Sequence, residues 1–437
     1  MKVKKSFFFN KKILIYGLGK SGISAFNFLK KNNKLFVFDD DRLKKKNKFL
    51  RSKYITLKSL NKKKFDCIIL SPGIDIKKCK LKSYLKKNLP KIVTDLDVFY
   101  NKYGSNKNIT ITGTNGKSTC AQLIYNILKD HKRDVRLVGN IGNPVLSERN
   151  ISLKTIFVIE ASSYQIEYSK FFKAKYAAIL NITPDHLERH GNFNNYAKAK
   201  FKLIQNQEKK SFSFVEFNNP HINKLVKKIK LNSKIIKIKK NSITAKLNYI
   251  KNSFFLTKGN IQNLSFALSI IQKLKLNEKK TFKTINKFKG LKFRQEIIFK
   301  SKKLTVINDS KATSFSSSEN ILKSLKNVYW ILGGIPKKGD KFQMSRKECN
   351  SFKAYIFGNN KSFFIKNLRS KLEIENFKNL NFALKKVISD IRLKKSTVNH
   401  KTILFSPSGA SFDSFRNFED RGKNFNKLVK KLNLRKI

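Results

Sequence analysis

The chain has 437 residues, four cysteines and a formal net charge of +68. It is too long for a single hydrophobic core and fits about three domains of ordinary size. No apolar run is long enough to span a bilayer, and the scattered cysteines lack C-x-x-C spacing, so we expect a cytoplasmic protein without a zinc site or a disulfide framework. The lysines are spread over the whole length rather than gathered in one basic arm, which favours biased codon usage over a dedicated nucleic-acid-binding face.

The first predicted strand, at 12–16, leads into a glycine-rich loop, Gly17-Leu18-Gly19-Lys20-Ser21-Gly22, and the next strand ends at Asp39-Asp40. G-x-G-x-x-G after a strand, followed about 20 positions later by an acidic residue, is the dinucleotide-binding fingerprint. Alone it indicates an NAD-dependent enzyme. A third strand, at 67–70, ends in Ser71-Pro72-Gly73, which we expect at the same edge of the sheet.

The strongest motif follows a β-branched run at 109–112 and reads Gly113-Thr114-Asn115-Gly116-Lys117-Ser118-Thr119. Backbone N–H groups in such a loop converge on phosphate oxygens at a helix N-terminus, while Lys117 can reach the outer phosphates and Ser118 can ligate Mg²⁺. The loop therefore predicts ATP or GTP binding. Its spacing departs from the common G-x-x-x-x-G-K-[ST] pattern, because Ile111 occupies the first glycine position, and this points to a narrower family.

Two later predicted strands of this region end at Glu160 and Asn181. Ligands gather at the carboxyl ends of parallel strands, so Glu160 is placed to hold the Mg²⁺ that bridges nucleotide phosphates. Asp185 and His186 follow closely, and His186 can ligate a second cation while Asp185 fixes its tautomer.

A helix is predicted downstream, around Tyr196, Lys198 and Lys200. Tyr196 and Lys200 are four residues apart and share a face, whereas Lys198 points elsewhere. On composition alone Lys200 is one more surface lysine.

A third alternating region begins near residue 291 and ends in a helix predicted from about 414 to 432. Its loop at 308–313 places a carboxylate, a cation and two hydroxyl groups close together. Its loop at 406–418 consists mainly of small residues and opens the last helix, which predicts a pocket for an anionic substrate. A polar stretch around 237–252 is the one strongly polar linker we predict.

Together these motifs resemble the Mur ligases of peptidoglycan synthesis. The resemblance runs from about residue 15 to residue 425, and it is carried by the sequences Thr-Gly-Thr-Asn-Gly-Lys-Ser-Thr (112–119), Glu-Ala-Ser-Ser-Tyr-Gln (160–165), Asn-Ile-Thr-Pro-Asp-His (181–186), Asn-Asp-Ser-Lys-Ala-Thr (308–313) and Ser-Pro-Ser-Gly-Ala-Ser (406–411). It implies an α/β fold with three domains: a Rossmann-like UDP-sugar-binding domain at 1–101, a central P-loop ATP-binding domain with a mostly parallel sheet at 102–290, and a Rossmann-like amino-acid-binding domain at 291–437.

The resemblance also implies the chemistry, and it is greatest to members that add D-glutamate to UDP-N-acetylmuramoyl-L-alanine. In those enzymes ATP phosphorylates the substrate carboxylate, and the amine of D-glutamate attacks the acyl phosphate. Every participant is anionic, so cations must supply most of the stabilisation. We expect ATP as co-substrate and Mg²⁺ as cofactor. We also expect a monomer, with neither specific nucleic-acid binding nor membrane insertion.

Site residues carry over from the resemblance position by position. The catalytic set is Lys117, His186 and Lys200. The implied metal ligands are Ser118, Glu160, His186 and Lys200, the last as a carbamate. ATP contacts are implied at Gly113, Thr114, Asn115, Gly116, Lys117, Ser118, Thr119, Asn260, Asn263, Arg294, Asp309 and Lys311. UDP-sugar contacts are implied at Gly17, Leu18, Gly19, Lys20, Ser21, Asp39, Asp40, Ser71, Gly73 and Asn140. D-glutamate contacts are implied at Lys311, Thr313, Ser411 and Phe418.

Two positions depart from the family pattern, because Gly259 precedes Asn260 and Phe293 precedes Arg294 where the family has histidines. The segment 333–340 differs in its glycine spacing, and we assign it no role. The main alternative is a sister Mur ligase with another amino acid acceptor. A folate polyglutamylating enzyme would lack the first domain, an NAD-dependent oxidoreductase would need a hydride-transfer site that the rest of the chain does not supply, and a nucleic-acid-binding ATPase has only the charge in its favour.

Overall fold

The computed structural model describes residues 7–41, 50–239, 243–256, 258–337, 339–393 and 400–434. The chain is an α/β protein with three sheets, and the two larger sheets have six strands each. Contacts divide it into two compact units: residues 1–182, 189–247 and 263–285 form the first, and residues 183–188, 248–262 and 286–437 form the second.

The first sheet is fully parallel, in the order β2-β1-β3-β4. Its strands are β1 (Lys12–Tyr16), β2 (Lys34–Phe38), β3 (Cys67–Leu70) and β4 (Ile92–Val93). Its helices are α1 (Lys20–Leu29), α2 (Leu57–Leu60), α3 (Lys82–Lys87) and α4 (Asp95–Tyr103), with 3-10 turns at Arg51–Lys53 and Leu89–Lys91. Gly22 must lack a side chain, because a Cβ there would lie 1.8 Å from the carbonyl oxygen of Gly17. This close packing brings the start of α1 against the loop that follows β1.

The second sheet is also parallel throughout, in the order β10-β9-β8-β5-β7-β6. Its strands are β5 (Asn108–Thr112), β6 (Val135–Gly139), β7 (Ile156–Glu160), β8 (Tyr176–Ile179), β9 (Phe212–Glu216) and β10 (Lys234–Ile238). The helices of this region are α5 (Lys117–Asp130), α6 (Ser163–Glu167), α7 (Leu187–His190), α8 (Phe193–Gln205), α9 (Pro220–Lys228), α10 (Lys258–Lys273) and α11 (Glu278–Lys287). The predicted linker at 237–252 contains the end of β10 and a 3-10 helix, Thr244–Tyr249, while residues 240–242 lie outside the described residues.

The third sheet has the order β11-β12-β16-β13-β14-β15, and only the pairing of β11 with β12 is antiparallel. Its strands are β11 (Glu296–Lys300), β12 (Leu304–Asn308), β13 (Val328–Gly333), β14 (Phe352–Phe357), β15 (Glu373–Phe377) and β16 (Lys401–Ser408). Its helices are α12 (Phe315–Leu322), α13 (Lys361–Leu368), α14 (Leu380–Leu393) and α15 (Phe418–Lys430), with 3-10 turns at Ser253–Leu256 and Lys347–Cys349. The prediction that the last helix begins near 414 was wrong: the Asn417 side chain accepts the N–H of Asp420, and this cap sets the start of α15 at Phe418.

The first two sheets share one unit because a single buried cluster runs from Phe8 in the first to Leu225 behind the second. The third sheet has separate clusters on its two faces, which include Phe405 on one side and Trp330 on the other. The three predicted sheets are therefore present, and the domain boundaries at 101 and 290 stay predictions. None of the described helices is long and apolar enough to cross a membrane.

Candidate active site

The glycine-rich loop after β5 is held open at the N-terminus of α5. Gly116 caps this helix with a φ of +83°, and a Cβ at this position would lie 2.0 Å from Oδ1 of Asn263. The Asn181 side chain, at the end of the neighbouring strand β8, accepts the N–H of Asn115 at 2.8 Å. The ammonium of Lys117 donates to the carbonyl oxygens of Gly113 and Thr114, each at 2.8 Å. The loop thus has the geometry of a phosphate cradle, with its lysine folded back over the backbone.

A buried carboxylate lies directly beside this loop. Glu160, at the end of β7, is 1% exposed. Its Oε2 accepts the hydroxyl of Ser118 at 2.6 Å, and its Oε1 accepts the amide of Asn140 at 2.8 Å. Both partners are neutral, and within the described ranges no cationic side chain forms a salt bridge with Glu160. A buried carboxylate without a countercharge favours a bound cation.

The donor types fit Mg²⁺. Ser118 and Glu160 offer hard oxygen ligands, and Mg²⁺ commonly takes one or two protein oxygens and completes its shell with water and phosphate oxygens. No group of three or more His, Cys, Asp or Glu side chains suited to a metal occurs among the described residues.

Lys200 lies under the phosphate loop, on the face of α8 that the helical spacing predicts. It is 2% exposed, whereas Lys198 is exposed. Its Nζ donates to the carbonyl oxygen of Gly113 at 2.9 Å and lies 4.7 Å from the ring centre of Tyr196. The Tyr196 hydroxyl is in turn 3.0 Å from the hydroxyl of Thr114. Lys200 is therefore a buried neighbour of the loop rather than a surface lysine, and its carbamylation stays a prediction.

His186 belongs to a segment, 183–188, that groups with the second unit. It has a φ of +53°, and its Nε2 lies 3.5 Å from Asp185, which is longer than a good hydrogen bond. Asp185 forms an ion pair with Lys337, with 2.5 Å between Nζ and Oδ1. Sequence reasoning gave Lys337 no role, because the glycine spacing around it is irregular.

Apart from Asn140, the predicted UDP-sugar residues converge at the carboxyl edge of the first sheet. Asn140 instead follows β6 of the second sheet and donates to Glu160. The Asp39 carboxylate accepts the N–H of Leu18, and the Ser71 hydroxyl donates to the carbonyl oxygen of Gly17 at 2.7 Å. Asp40 accepts the hydroxyl of Tyr16 at 2.6 Å. Of the remaining residues, Gly19, Lys20 and Gly73 are exposed and Ser21 is half-buried in the first turn of α1.

Asp95 is a buried residue of this region that sequence reasoning missed. Burial raises its pKa to about 6. The available signal was an acidic residue immediately after Thr94 at the start of a helix.

In the second unit, Asp309 follows β12 and is buried beside β16. It accepts the hydroxyl of Ser406 at 3.0 Å and the N–H of Gln295 at 3.1 Å. Burial raises the pKa of Asp309 to about 7, while those hydrogen bonds and the charges of Arg294 and Arg421 lower it.

The predicted D-glutamate residues are partly brought together. The Nζ of Lys311 lies 3.9 Å from the ring centre of Phe418, Ser411 is buried and Thr313 is half-buried. Phe418 is the first residue of α15.

Arg421 is a further residue that sequence reasoning missed. It is 1% exposed and donates to the hydroxyl of Ser310 at 3.1 Å, to the carbonyl oxygen of Ser310 at 2.7 Å and to that of Gly409 at 2.9 Å. It therefore joins the loop after β12 to the loop after β16. Nothing in its sequence context separates it from the many other basic residues.

Asn260 and Asn263, two of the implied ATP contacts, fall in different units. The amide of Asn260 donates to the carbonyl oxygen of Phe254 at 3.0 Å and to the side-chain oxygen of Gln295 at 3.1 Å, all within the second unit. Asn263 belongs to the first unit, beside Gly116.

The chain has three sheets of this topology, and its phosphate-binding loop lies beside a buried glutamate. Together these features indicate a nucleotide-dependent enzyme. Residues 111–279 match the Mur ligase middle domain, and residues 11–93 match the Mur ligase MurD-like N-terminal domain. The chain is 34% identical to the UDP-N-acetylmuramoylalanine–D-glutamate ligase of Rickettsia prowazekii, over 96% of this chain and 98% of the relative. The ligase of the same name from Rickettsia felis is 33% identical, over 96% and 97% of the two chains.

Solved structures agree in fold. UDP-N-acetylmuramate-alanine ligase MurC from Thermotoga maritima superposes with a TM-score of 0.55 at 18% identity, covering 97% of this chain and 100% of that one. MurF ligase from the same organism, in complex with ADP, gives a TM-score of 0.57 at 14% identity, covering 97% and 96%. The chain belongs to the Mur ligase family. Within that family, its N-terminal region matches the MurD-like type.

Proposed function

We propose that this protein is an ATP-dependent ligase that joins D-glutamate to UDP-N-acetylmuramoyl-L-alanine, in the cytoplasm and as a monomer. The observation that carries the proposal is the contact between Ser118 in the phosphate loop and buried Glu160, on a chain similar along nearly its whole length to ligases of that name. The Ser118 hydroxyl and the Glu160 carboxylate would hold Mg²⁺ beside the phosphates of ATP, and the backbone N–H groups of the loop would bind the phosphates themselves.

The residues divide the reaction between them. The loop around Gly113 and the N-terminus of α5 bind the ATP phosphates, and Lys117 turns from the loop carbonyl oxygens to the outer phosphates. Ser118 and Glu160 would hold Mg²⁺, which supplies charge neutralisation for phosphoryl transfer. The carboxyl edge of the first sheet, with Asp39 and Ser71, holds the UDP group.

The bond changes follow from the substrates. The terminal carboxylate of UDP-N-acetylmuramoyl-L-alanine takes the γ-phosphoryl group and ADP leaves. The neutral amine of D-glutamate then attacks the acyl carbon, and phosphate leaves as the amide forms. Lys311 supplies positive charge for a D-glutamate carboxylate, Ser411 and Thr313 supply hydroxyl donors, and Phe418 packs against the methylene groups.

Release of ADP and phosphate tests this proposal, with UDP-N-acetylmuramoyl-L-alanine and a panel of amino acids as substrates. We expect turnover with D-glutamate and none with L-glutamate, L-alanine or diaminopimelate. Ser411→Ala should raise the KM for D-glutamate more than the KM for ATP. Turnover with another amino acid instead would make the chain a sister ligase.

A further inference from the structure

The amino edge of the first sheet lies opposite the edge that carries the UDP-sugar loops. Because all four strands are parallel, the segments entering them meet at one edge. We define the amino-edge surface as these segments and the loop that packs on them, namely residues 7–12, 30–34, 61–66, 86–91 and 169–173. Hydrogen bonds connect the segments: the Asn33 amide donates to the carbonyl oxygen of Phe8 at 3.1 Å, and the Lys91 ammonium donates to that of Phe65 at 3.0 Å.

This surface is strongly basic. Its 28 residues include thirteen lysines and one acidic residue, Asp66, whereas the whole chain has 96 basic residues in 437. Asp66 accepts the N–H of Lys12 at 2.7 Å, and Lys173 pairs with Glu208 just outside the surface at 3.0 Å. The density of positive charge is therefore about twice the average of this already basic protein.

The same surface exposes four large apolar side chains. Phe7, Phe9, Leu89 and Phe171 are 46%, 52%, 45% and 40% exposed. The rings of Phe7 and Phe171 lie 5.2 Å apart, and the ammonium of Lys170, next to Phe171 in the chain, donates to the carbonyl oxygen of Leu89 at 2.9 Å. Exposed apolar side chains on a surface so rich in lysine mark an interaction surface rather than scattered surface residues.

We propose that the amino-edge surface docks on anionic lipid headgroups. Lysines reach lipid phosphates while their stems lie along apolar surface, and phenylalanine side chains enter the boundary between headgroups and acyl chains. A nucleic acid would use the charge but leave the Leu89 side chain in water. The strands of β1 and β2 are about 16 Å long, so docking at this edge leaves the loops at Gly17 and Ser71 open to substrate.

Vesicle sedimentation with the full chain at about 0.15 M salt tests the proposal. The probes are vesicles of phosphatidylglycerol mixed with phosphatidylcholine, and vesicles of phosphatidylcholine alone. We expect binding only to the anionic vesicles. Because each lysine near an anionic surface contributes about fivefold, Lys62→Glu/Lys64→Glu should weaken partitioning by at least tenfold. Phe7→Ser/Phe9→Ser should weaken it by about tenfold with no change in net charge.

Matched controls separate this surface from the general charge. Lys279→Glu/Lys280→Glu on α11 changes the net charge equally, and Phe382→Ser removes an exposed phenylalanine from the second unit. Both should bind vesicles nearly as well as the unaltered chain, and all four variants should keep ligase turnover with soluble substrates.

Equal losses of vesicle binding in the edge and control variants would overturn the proposal. A second result would also overturn it: a single-stranded oligonucleotide displaces the protein from the vesicles, and the Phe7→Ser/Phe9→Ser variant still binds the vesicles fully. The surface would then recognise a polyanion rather than a lipid. Turnover is scored separately, so loss of lipid binding and failure of the proposed ligase activity remain distinguishable.

Discussion

Asp97→Asn should destabilise the first unit by about 4 kcal/mol, because this one carboxylate joins the helix after β4 to the loop before β8. Its Oδ1 accepts four donors from residues 169–172, at 2.8, 2.8, 2.6 and 3.1 Å. Its Oδ2 accepts the N–H of Thr94 at 2.9 Å, which completes the helix cap. The side chain is 0% exposed, so water cannot replace these bonds.

The magnitude follows from the change in acceptor. A hydrogen bond to an ionised group contributes about 1.5 to 3 kcal/mol and a neutral one about 1, so four donors that keep only an amide oxygen lose roughly 3 kcal/mol together. The new amide N–H₂ group faces the N–H of Thr94, and losing that cap costs about 1 kcal/mol more. Asp97→Ala should cost still more, because it leaves every donor buried and unpaired.

Urea unfolding followed by far-UV circular dichroism measures the effect, with hydrogen exchange at the amides of 170–172 as a local readout. Glu208→Gln is the control, because it removes a negative charge from a side chain that is 60% exposed, and it should change stability by at most about 0.5 kcal/mol. If the Asp97→Asn midpoint shifts by an amount that corresponds to a loss of less than about 1 kcal/mol in the free energy of unfolding, at an unchanged denaturant slope, the reasoning is refuted.

Three further outcomes are expected. Lys200→Ala should lose most ligase activity and regain part of it with added short carboxylates, whereas Lys198→Ala should be nearly neutral; equal losses in the phosphate-release assay would show that the buried face has no special role. A UDP-sugar should bind the first sheet and NAD should not displace it at comparable concentration, as measured by competition calorimetry; displacement by NAD would contradict the assignment. Because burial raises the pKa of Asp309 to about 7, the native state holds a proton that the unfolded state releases near pH 4, and this group therefore lowers stability as pH rises between about 4 and 7. Asp309→Asn should reduce this loss of stability with pH, as measured by urea unfolding midpoints between about pH 4 and pH 7. The same pH dependence in the variant and the unaltered chain would exclude Asp309 as its source.

Much of the architecture was predictable because it is encoded locally. Apolar strands followed by glycine-rich or polar loops predicted parallel sheets, and parallel pairing by itself brings loops such as those at Gly17 and Ser71 to one edge. The same logic placed Glu160 beside the phosphate loop, because β5 and β7, the strands that precede them, are neighbours in the sheet. Helical spacing predicted that Lys198 and Lys200 point in different directions, and the structure shows that Lys200 is the buried one.

Tertiary structure decided the roles of residues whose partners are distant in sequence. Asp97 meets four of its five donor residues more than seventy positions away, and Arg421 reaches Ser310 across 111 positions, so the sequence near each residue does not reveal these partners. The grouping of His186 with the second unit likewise depends on tertiary contacts. The amino-edge surface has the same origin. Four lysine-rich segments become one face only when parallel pairing of the four strands brings their entrances together, and the loop at 169–173 then packs on them.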